Sequence, residues 1–235
     1  MLTVVILAGG LATRLRPITN DTPKSMIDIC GKPFIDWQLR LLSQGGIDKV
    51  VLCTSFKSEM IEEFVGDGSK YGIEVKYSRD GYTQLGTGGA IKKASQIIGD
   101  EFMVLYGDSY LPINYAEVES TFYAIKKPAL MTIYQNNGAF DNSNVTIESG
   151  LIKRYSKNKN YKKFTHIDFG LSIFSKNIFE SYNLEETFDL SDIFTELANL
   201  GVLGGLELYE RFYEVGSFRG IIDFTNYIKW SKNVI

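Results

Sequence analysis

The chain has 235 residues, 44% of them apolar and 23% charged, which is enough to bury a full core and excludes a disordered protein. Its 25 basic and 28 acidic residues leave a net charge of -3, which argues against a general nucleic-acid or anionic-membrane binder, because such proteins need a basic field. Cys30 and Cys53 form no CxxC pair and His166 is the one histidine, so a zinc site lacks soft ligands and both thiols read as structural.

The first apolar run, Leu2 to Leu7, is short and β-branched, as expected of a strand buried on both faces of a parallel sheet. It ends at Gly9-Gly10, where the backbone can turn tightly and approach a ligand, and Arg14, Arg16 and Lys24 follow with charges suited to phosphate. A helix is expected from about Pro33 to Gln44, with Phe34, Trp37, Leu41 and Leu42 at helical spacing and Gly45-Gly46 as its stop. KVVLCT reads as the next strand, SEMIEEFVG as a helix and IEVKYS as a third strand. LGTGGAIKKASQII reads as a glycine-rich loop running into a helix, and EFMVLYGDSYL as a buried strand that ends on a carboxylate. This alternation predicts a parallel sheet with right-handed crossovers, in which ligands collect at the carboxyl ends of the strands.

After Pro128 the pattern shortens to LMTIYQ, NVTIESGLIKRYS with a hairpin turn at IESGLI, and IDFGLSIFS. Helical FDLSDIFTELANLG follows, then a strand pair around LELYERFYEVG and an amphipathic helix through Ile221, Phe224 and Ile228. KRYSKNKNYKK reads first as a solvated surface loop. No linker or repeat divides the chain, so one domain is expected over 1–235, with about 1–112 as one half and about 113–235 as the other. No signal peptide or membrane-length apolar run stands out, and the expected compartment is the cytoplasm.

Three features point to chemistry: the glycine turn with Arg14 and Lys24, Gly107-Asp108 at one strand end, and Tyr213-Glu214-Val215-Gly216 at another. Two strand-end carboxylates suit a hard divalent cation, and Mg²⁺ typically takes one or two carboxylates plus substrate phosphates. Cations opposite them would hold polyphosphate, so the parts describe phosphoryl or nucleotidyl transfer. The sequence GxxxxGK[ST] is absent, which excludes a Walker-type ATPase, and the glycine turn lacks the third glycine of a dinucleotide-binding fold.

The run LAGGLATRLRP…PKSM resembles the pattern LAGGxGTRLxP…PKPM of the sugar-1-phosphate nucleotidyltransferases, and LGTGGA, YGDSY and YEVGS continue the likeness along nearly the whole chain. The resemblance implies an α/β fold, a Rossmann-like three-layer sandwich with a mostly parallel mixed sheet. It also implies Mg²⁺ dependence and the reaction of a nucleoside triphosphate with a sugar 1-phosphate to give a nucleotide-sugar and pyrophosphate. Carried over by position, Leu7, Ala8, Gly9 and Gly10 would lie against the nucleoside, with Gly86, Thr87 and Gly88 passing the base edge. Arg14 would hold the departing β- and γ-phosphates, and Lys24 would bridge the α-phosphate and the incoming sugar phosphate. Asp108 would bind the metal, with Glu214 standing where many relatives carry a second aspartate.

The sugar side is less sharply marked. Asp168 and Gly170 resemble an element that hydrogen-bonds sugar hydroxyls, while Lys157, with Lys159 in reserve, is the lysine expected at the sugar phosphate. His166 is read as a structural neighbour, since an ionised phosphate needs no base. Ala12 replaces the family's glycine, and Ser25 the commoner proline of PKPM. The branch most resembled contains D-glycero-D-manno-heptose 1-phosphate and mannose 1-phosphate guanylyltransferases, whose nucleotide-sugar products serve lipopolysaccharide or capsule assembly. Uridylyl, thymidylyl or cytidylyl transfer to another sugar phosphate or to phosphocholine stays open, as do a silent nucleotide-sensing role and a homodimer. The chain stops soon after its last helix, so no appended β-helix acyltransferase domain is expected.

Overall fold

The computed structural model describes residues 1–10, 15–17, 19–81, 85–136, 142–157, 164–182 and 187–232. In chain order its elements begin with β1 (Thr3–Leu7), the short β2 (Asp28–Ile29) and β3 (Lys32–Pro33), α1 (Phe34–Gln44), β4 (Lys49–Thr54), α2 (Ser58–Val65), β5 (Glu74–Arg79) and α3 (Gly86–Ala94). Next come β6 (Glu101–Tyr106), β7 (Ser109–Tyr110), α4 (Tyr115–Ile125), β8 (Ala129–Gln135), β9 (Val145–Glu148), β10 (Leu151–Tyr155) and β11 (His166–Ser175). The last are α5 (Leu190–Asn199), β12 (Leu203–Glu207), β13 (Tyr213–Glu214) and α6 (Phe218–Lys232).

Nine strands form one mixed sheet in the order β5-β4-β1-β6-β11-β8-β12-β10-β9. Following the parallel and antiparallel pairings from β1, only β11 and β10 run against the rest. The β-branched residues of β1 explain its central place: Val4 and Ile6 pack into one core and Val5 into the other, all fully buried. One face of the sheet is covered by α1, α2 and α4 through residues such as Leu39, Ile61 and Val118, and the other by α3 and α5 through Ile91, Ile193 and Phe194. The result is a three-layer sandwich. A third cluster joins Phe34 of α1 to Phe224 and Ile228 of α6, with Trp37 and Leu41 packed against it. Thus α1 buries two faces, Phe34, Trp37 and Leu41 toward α6 and Leu42 toward the sheet.

The β9–β10 hairpin turns through Ser149 and Gly150, both at positive φ, as IESGLI predicts. One helix is added to the expected elements and two expectations are corrected. YAEVESTFYAI, unassigned in the sequence reading, is α4, with Asn114 accepting the Glu117 N–H at its start. The expected strand pair around LELYERFYEVG does not form: β12 continues the main sheet beside β8, whereas β13 crosses over to pair with β7. Separation has a physical reason, since the Leu208 N–H extends the β8 ladder to the Ile133 carbonyl before the chain turns away. Finally, the glycines of LGTGGA are not a loop before a helix but the first turn of α3 itself.

Candidate active site

A cleft of about 460 Å³ opens at the carboxyl ends of β5, β4, β1 and β6, where the strand order reverses around β1. Leu7, Ala8, Gly9 and Gly10 line it, as do Gly86 and Thr87 at the start of α3 and Lys24 and Asp108 farther along. Arg14, Ala12 and Lys159 lie outside the described residues.

The carboxylate end of the cleft is built by the β7–β13 ribbon. Glu214 lies opposite Ser109, and the Val215 N–H donates to the Asp108 carbonyl at 2.9 Å, so two distant segments present their acids together. Gly216 shows how close they come: a Cβ there would stand 2.8 Å from Asp108 Oδ2, 2.8 Å from Glu214 Oε2 and 3.7 Å from Lys24 Nζ. Lys24 Nζ meets Asp108 Oδ2 at 2.8 Å, with the two side chains 19% and 24% exposed. Glu214 is held by the Gly216 N–H and by the Ser217 hydroxyl at 2.5 Å. Buried Gln38 of α1 braces the turn before them, its amide donating to the Tyr106 carbonyl at 3.1 Å and the Ser109 carbonyl at 2.8 Å. Among the described residues no group of three or more His, Cys, Asp or Glu that could hold a metal ion converges.

The opposite wall is the α3 N-terminus, and its donors are already engaged. Thr87 N–H and Oγ1 both reach Asp189 Oδ1, at 3.1 and 3.0 Å, while Gly88 and Gly89 donate to the Phe188 carbonyl. A Cβ at Gly88 would meet the Phe188 ring at 2.5 Å, so this glycine is required by close packing behind the cleft. Burial disfavours the charged Asp189, but the Thr87 N–H, Lys157 and the Thr87 hydroxyl outweigh it and hold its carboxyl below the ordinary value. Asp80, after β5, lines the same end with Cys53 and Ala90. Burial pushes the Asp80 carboxyl up, against the Leu85 N–H and Lys93, and burial likewise raises the Cys53 thiol.

Asp168, Gly170 and Lys157 are not on the cleft wall itself. Asp168 Oδ1 accepts the Gly170 N–H at 2.9 Å and its carboxylate also takes the Tyr106 hydroxyl, and Tyr106 does line the cleft. Burial pushes the Asp168 carboxyl up to about 6, opposed by Gly170, Tyr106 and Lys157. Exposed Lys157 pairs with Asp189 at 3.4 Å, one side chain away from the cleft. His166 packs on β11 with Nδ1 2.7 Å from the Thr165 hydroxyl and Nε2 3.5 Å from Glu207. Gln38, Asp80, Asp189 and Phe188 were not identified from sequence. Only the Asp189–Asp192 spacing at a helix start offered a signal, and that signal reads as a cap.

Residues 3–228 match the family model described as nucleotidyl transferase. The D-glycero-alpha-D-manno-heptose 1-phosphate guanylyltransferase of Campylobacter jejuni is 32% identical over 192 residues, 82% of this chain and 84% of that protein. The enzyme of the same name from Aneurinibacillus thermoaerophilus is 33% identical over 198 residues, 82% of this chain and 83% of that protein. HddC from Yersinia pseudotuberculosis, solved with GMP-PN, superposes with a TM-score of 0.80 at 27% identity, covering 97% of this chain and 100% of that one. With that match spanning both the glycine turn and the two carboxylates, the chain belongs to the nucleotidyl transferase family.

Proposed function

We propose that this protein is a sugar-1-phosphate nucleotidyltransferase that joins GTP to a manno-configured sugar 1-phosphate, heptose or hexose, releasing pyrophosphate. The observation that carries it is the convergence of Lys24, Asp108 and Glu214 at one end of a cleft that Leu7 to Gly10 line. The relatives named above support the acceptor and the base, and the Yersinia structure holds a guanine nucleotide, GMP-PN.

The donor set fits Mg²⁺. Both acids offer hard oxygen, no third His, Cys, Asp or Glu joins them among the described residues, and each Glu214 oxygen keeps a lone pair beyond the hydrogen bond it accepts. Asp108 and Glu214 would hold the ion, which when bound neutralises charge building on the leaving pyrophosphate. The sugar-phosphate oxygen attacks the α-phosphorus in line; a new P–O bond forms as the bond to the β-phosphate oxygen breaks, and no proton moves because the nucleophile is already ionised. Lys24 supplies positive charge at the point of attack, releasing Asp108 as phosphate enters. Arg14 acts on the β- and γ-phosphates. Gly86 and Thr87 border the base, with Gly88, expected there too, packed instead against Phe188 behind the cleft, and the sugar phosphate extends past Tyr106 toward Asp168, Gly170 and Lys157. The Tyr106–Asp168 hydrogen bond and the Lys157–Asp189 pair support that direction, because each links the cleft wall to the outer group.

No helix among the described residues is long and apolar enough to cross a membrane. A cytoplasmic enzyme of nucleotide-sugar synthesis is the reading that accompanies this function. It is tested by a matrix of nucleoside triphosphates against sugar 1-phosphates, scored by pyrophosphate release. Turnover of GTP with mannose or heptose 1-phosphate is expected, and no release from any pair would overturn the enzyme reading.

A further inference from the structure

The turn that starts α6 directs its donors at one acid. Ser217 immediately precedes the helix: its carbonyl accepts the Ile221 N–H at 3.0 Å and its hydroxyl oxygen accepts the Gly220 N–H at 2.9 Å, the two bonds of a helix cap. With the oxygen engaged in this way, the hydroxyl hydrogen is left to donate, and Glu214 Oε1 lies 2.5 Å away. The other carboxylate oxygen, Oε2, accepts the Gly216 N–H. Gly220 makes the approach possible, because a Cβ there would overlap the Glu214 carboxylate and its carbonyl oxygen.

Capping the helix needs only the bond to Gly220, so the bond to Glu214 calls for a separate reason. Glutamate has three side-chain torsions to aspartate's two, and ordering them costs more. Mg²⁺ demands near-ideal octahedral geometry, which rewards ligands whose direction is set before the ion arrives. The Ser217 hydroxyl and the Gly216 N–H set both Glu214 oxygens and leave each a further lone pair. Their support is itself anchored to the ribbon that carries the acids. Phe224 of α6 packs on Tyr110 of β7 with ring centroids 4.7 Å apart, and Tyr227 stacks on Tyr213 of β13 at 4.3 Å.

We propose that Ser217 is a positioning residue for the reaction, its hydroxyl aiming the Glu214 carboxylate at the ion shared with Asp108. The proposal rests on the reading of Asp108 and Glu214 as a metal-binding pair, and the experiment separates the two. Mn²⁺ alone is titrated into the protein and followed by electron paramagnetic resonance, and the Mg²⁺ requirement of pyrophosphate release is measured beside it. The variants are Ser217→Ala, Ser217→Thr, Glu214→Gln and the double variant Ser217→Ala/Glu214→Gln. Ser217→Gly, which lacks the hydroxyl but starts a helix nearly as well, guards against an Ala variant that does not fold.

Ser217→Ala should weaken Mn²⁺ binding about tenfold and raise the Mg²⁺ requirement in step, as loss of a hydrogen bond behind a metal ligand does. Ser217→Thr should restore both, and in the Glu214→Gln background the Ala substitution should add little. A lower melting point with both metal readouts unchanged would make Ser217 a helix cap alone and overturn the proposal. An undiminished effect of Ser217→Ala in the Glu214→Gln background would overturn it too, since the hydroxyl would then not act through Glu214. If Glu214→Gln moves the metal readouts and Ser217→Ala does not, the metal pair stands and this inference falls; if Glu214→Gln moves neither, both fall.

Discussion

Lys24 and Asp108 stand 84 residues apart in sequence and 2.8 Å apart in the cleft, a cation and an anion paired at its carboxylate end. Each is largely shielded from solvent, so each would exchange its partner for substrate rather than for water. Lys24→Ala is expected to slow the chemical step itself. Single-turnover rates at saturating substrates check this, and a wild-type rate would remove Lys24 from the transferring phosphate.

Asp108→Asn and Glu214→Gln should each reduce turnover by about a hundredfold or more, because each removes one charge from the pair that would hold the metal. The fold should persist, since neither acid belongs to the core. Mg²⁺ titrations of the rate are the measurement, and unchanged metal dependence in both variants would dismiss the two-carboxylate site.

Gly216→Ala tests the convergence of those acids without touching either. The added methyl would stand 2.8 Å from an oxygen of each, closer than carbon normally approaches, so one carboxylate must move. Activity is expected to fall nearly as far as in Asp108→Asn, with circular dichroism and melting close to the parent. Full activity would show that the acids need not meet at that point.

Gln38→Ala should cost both stability and rate. It strips the donor from two carbonyls that flank the Asp108 turn, and each buried orphan costs about 1–3 kcal/mol. The predicted signature is a lower melting point together with a lower kcat and a raised Mg²⁺ requirement. If melting falls while kcat and metal dependence hold, Gln38 supports the core alone.

These particular residues show where sequence reading runs out. The central strands were legible because β-branched runs such as Val4, Val5 and Ile6 have one reasonable place in a parallel sheet. Asp108 and Glu214 were singled out because Gly107-Asp108 and Tyr213-Glu214-Val215-Gly216 stand at strand ends, and the structure brings the two acids near each other. Helix α4 was missed although Asn114 and Glu117 mark its start; its buried Tyr115, Val118 and Phe122 are spread thinly among Ala, Ser and Thr. Gln38 and Asp189 act through partners 71 and 102 residues away, and no local pattern encodes such a contact. The pairing of β13 with β7 was hidden for the same reason: YEVG looks like the return of LELYE until its pairing with β7 sets it apart from the main sheet.

Asp168 supplies a pH dependence whose direction follows from its surroundings. Burial, the largest influence, raises its carboxyl from 3.8 to about 6, while the Gly170 N–H, the Tyr106 hydroxyl and Lys157 pull the other way. Between these two values the folded protein keeps a proton that the unfolded chain has released, so ν is larger for the native state and stability falls as pH rises. The contribution is fully present below pH 3.8, is lost as pH climbs through about 6, and then stays lost. A shift of this size corresponds to at most about 3 kcal/mol, reduced by whatever solvent reaches a side chain that is only partly buried. Asp168→Asn keeps an acceptor for Gly170 and has nothing to ionise, so it should be more stable than the parent at pH 7 to 8 and lose that advantage toward pH 4. Parallel melting curves across pH 4 to 8 measure the difference between the two proteins, which cancels every other titrating group. A difference that does not change through pH 6 would mean that Asp168 ionises as easily folded as unfolded.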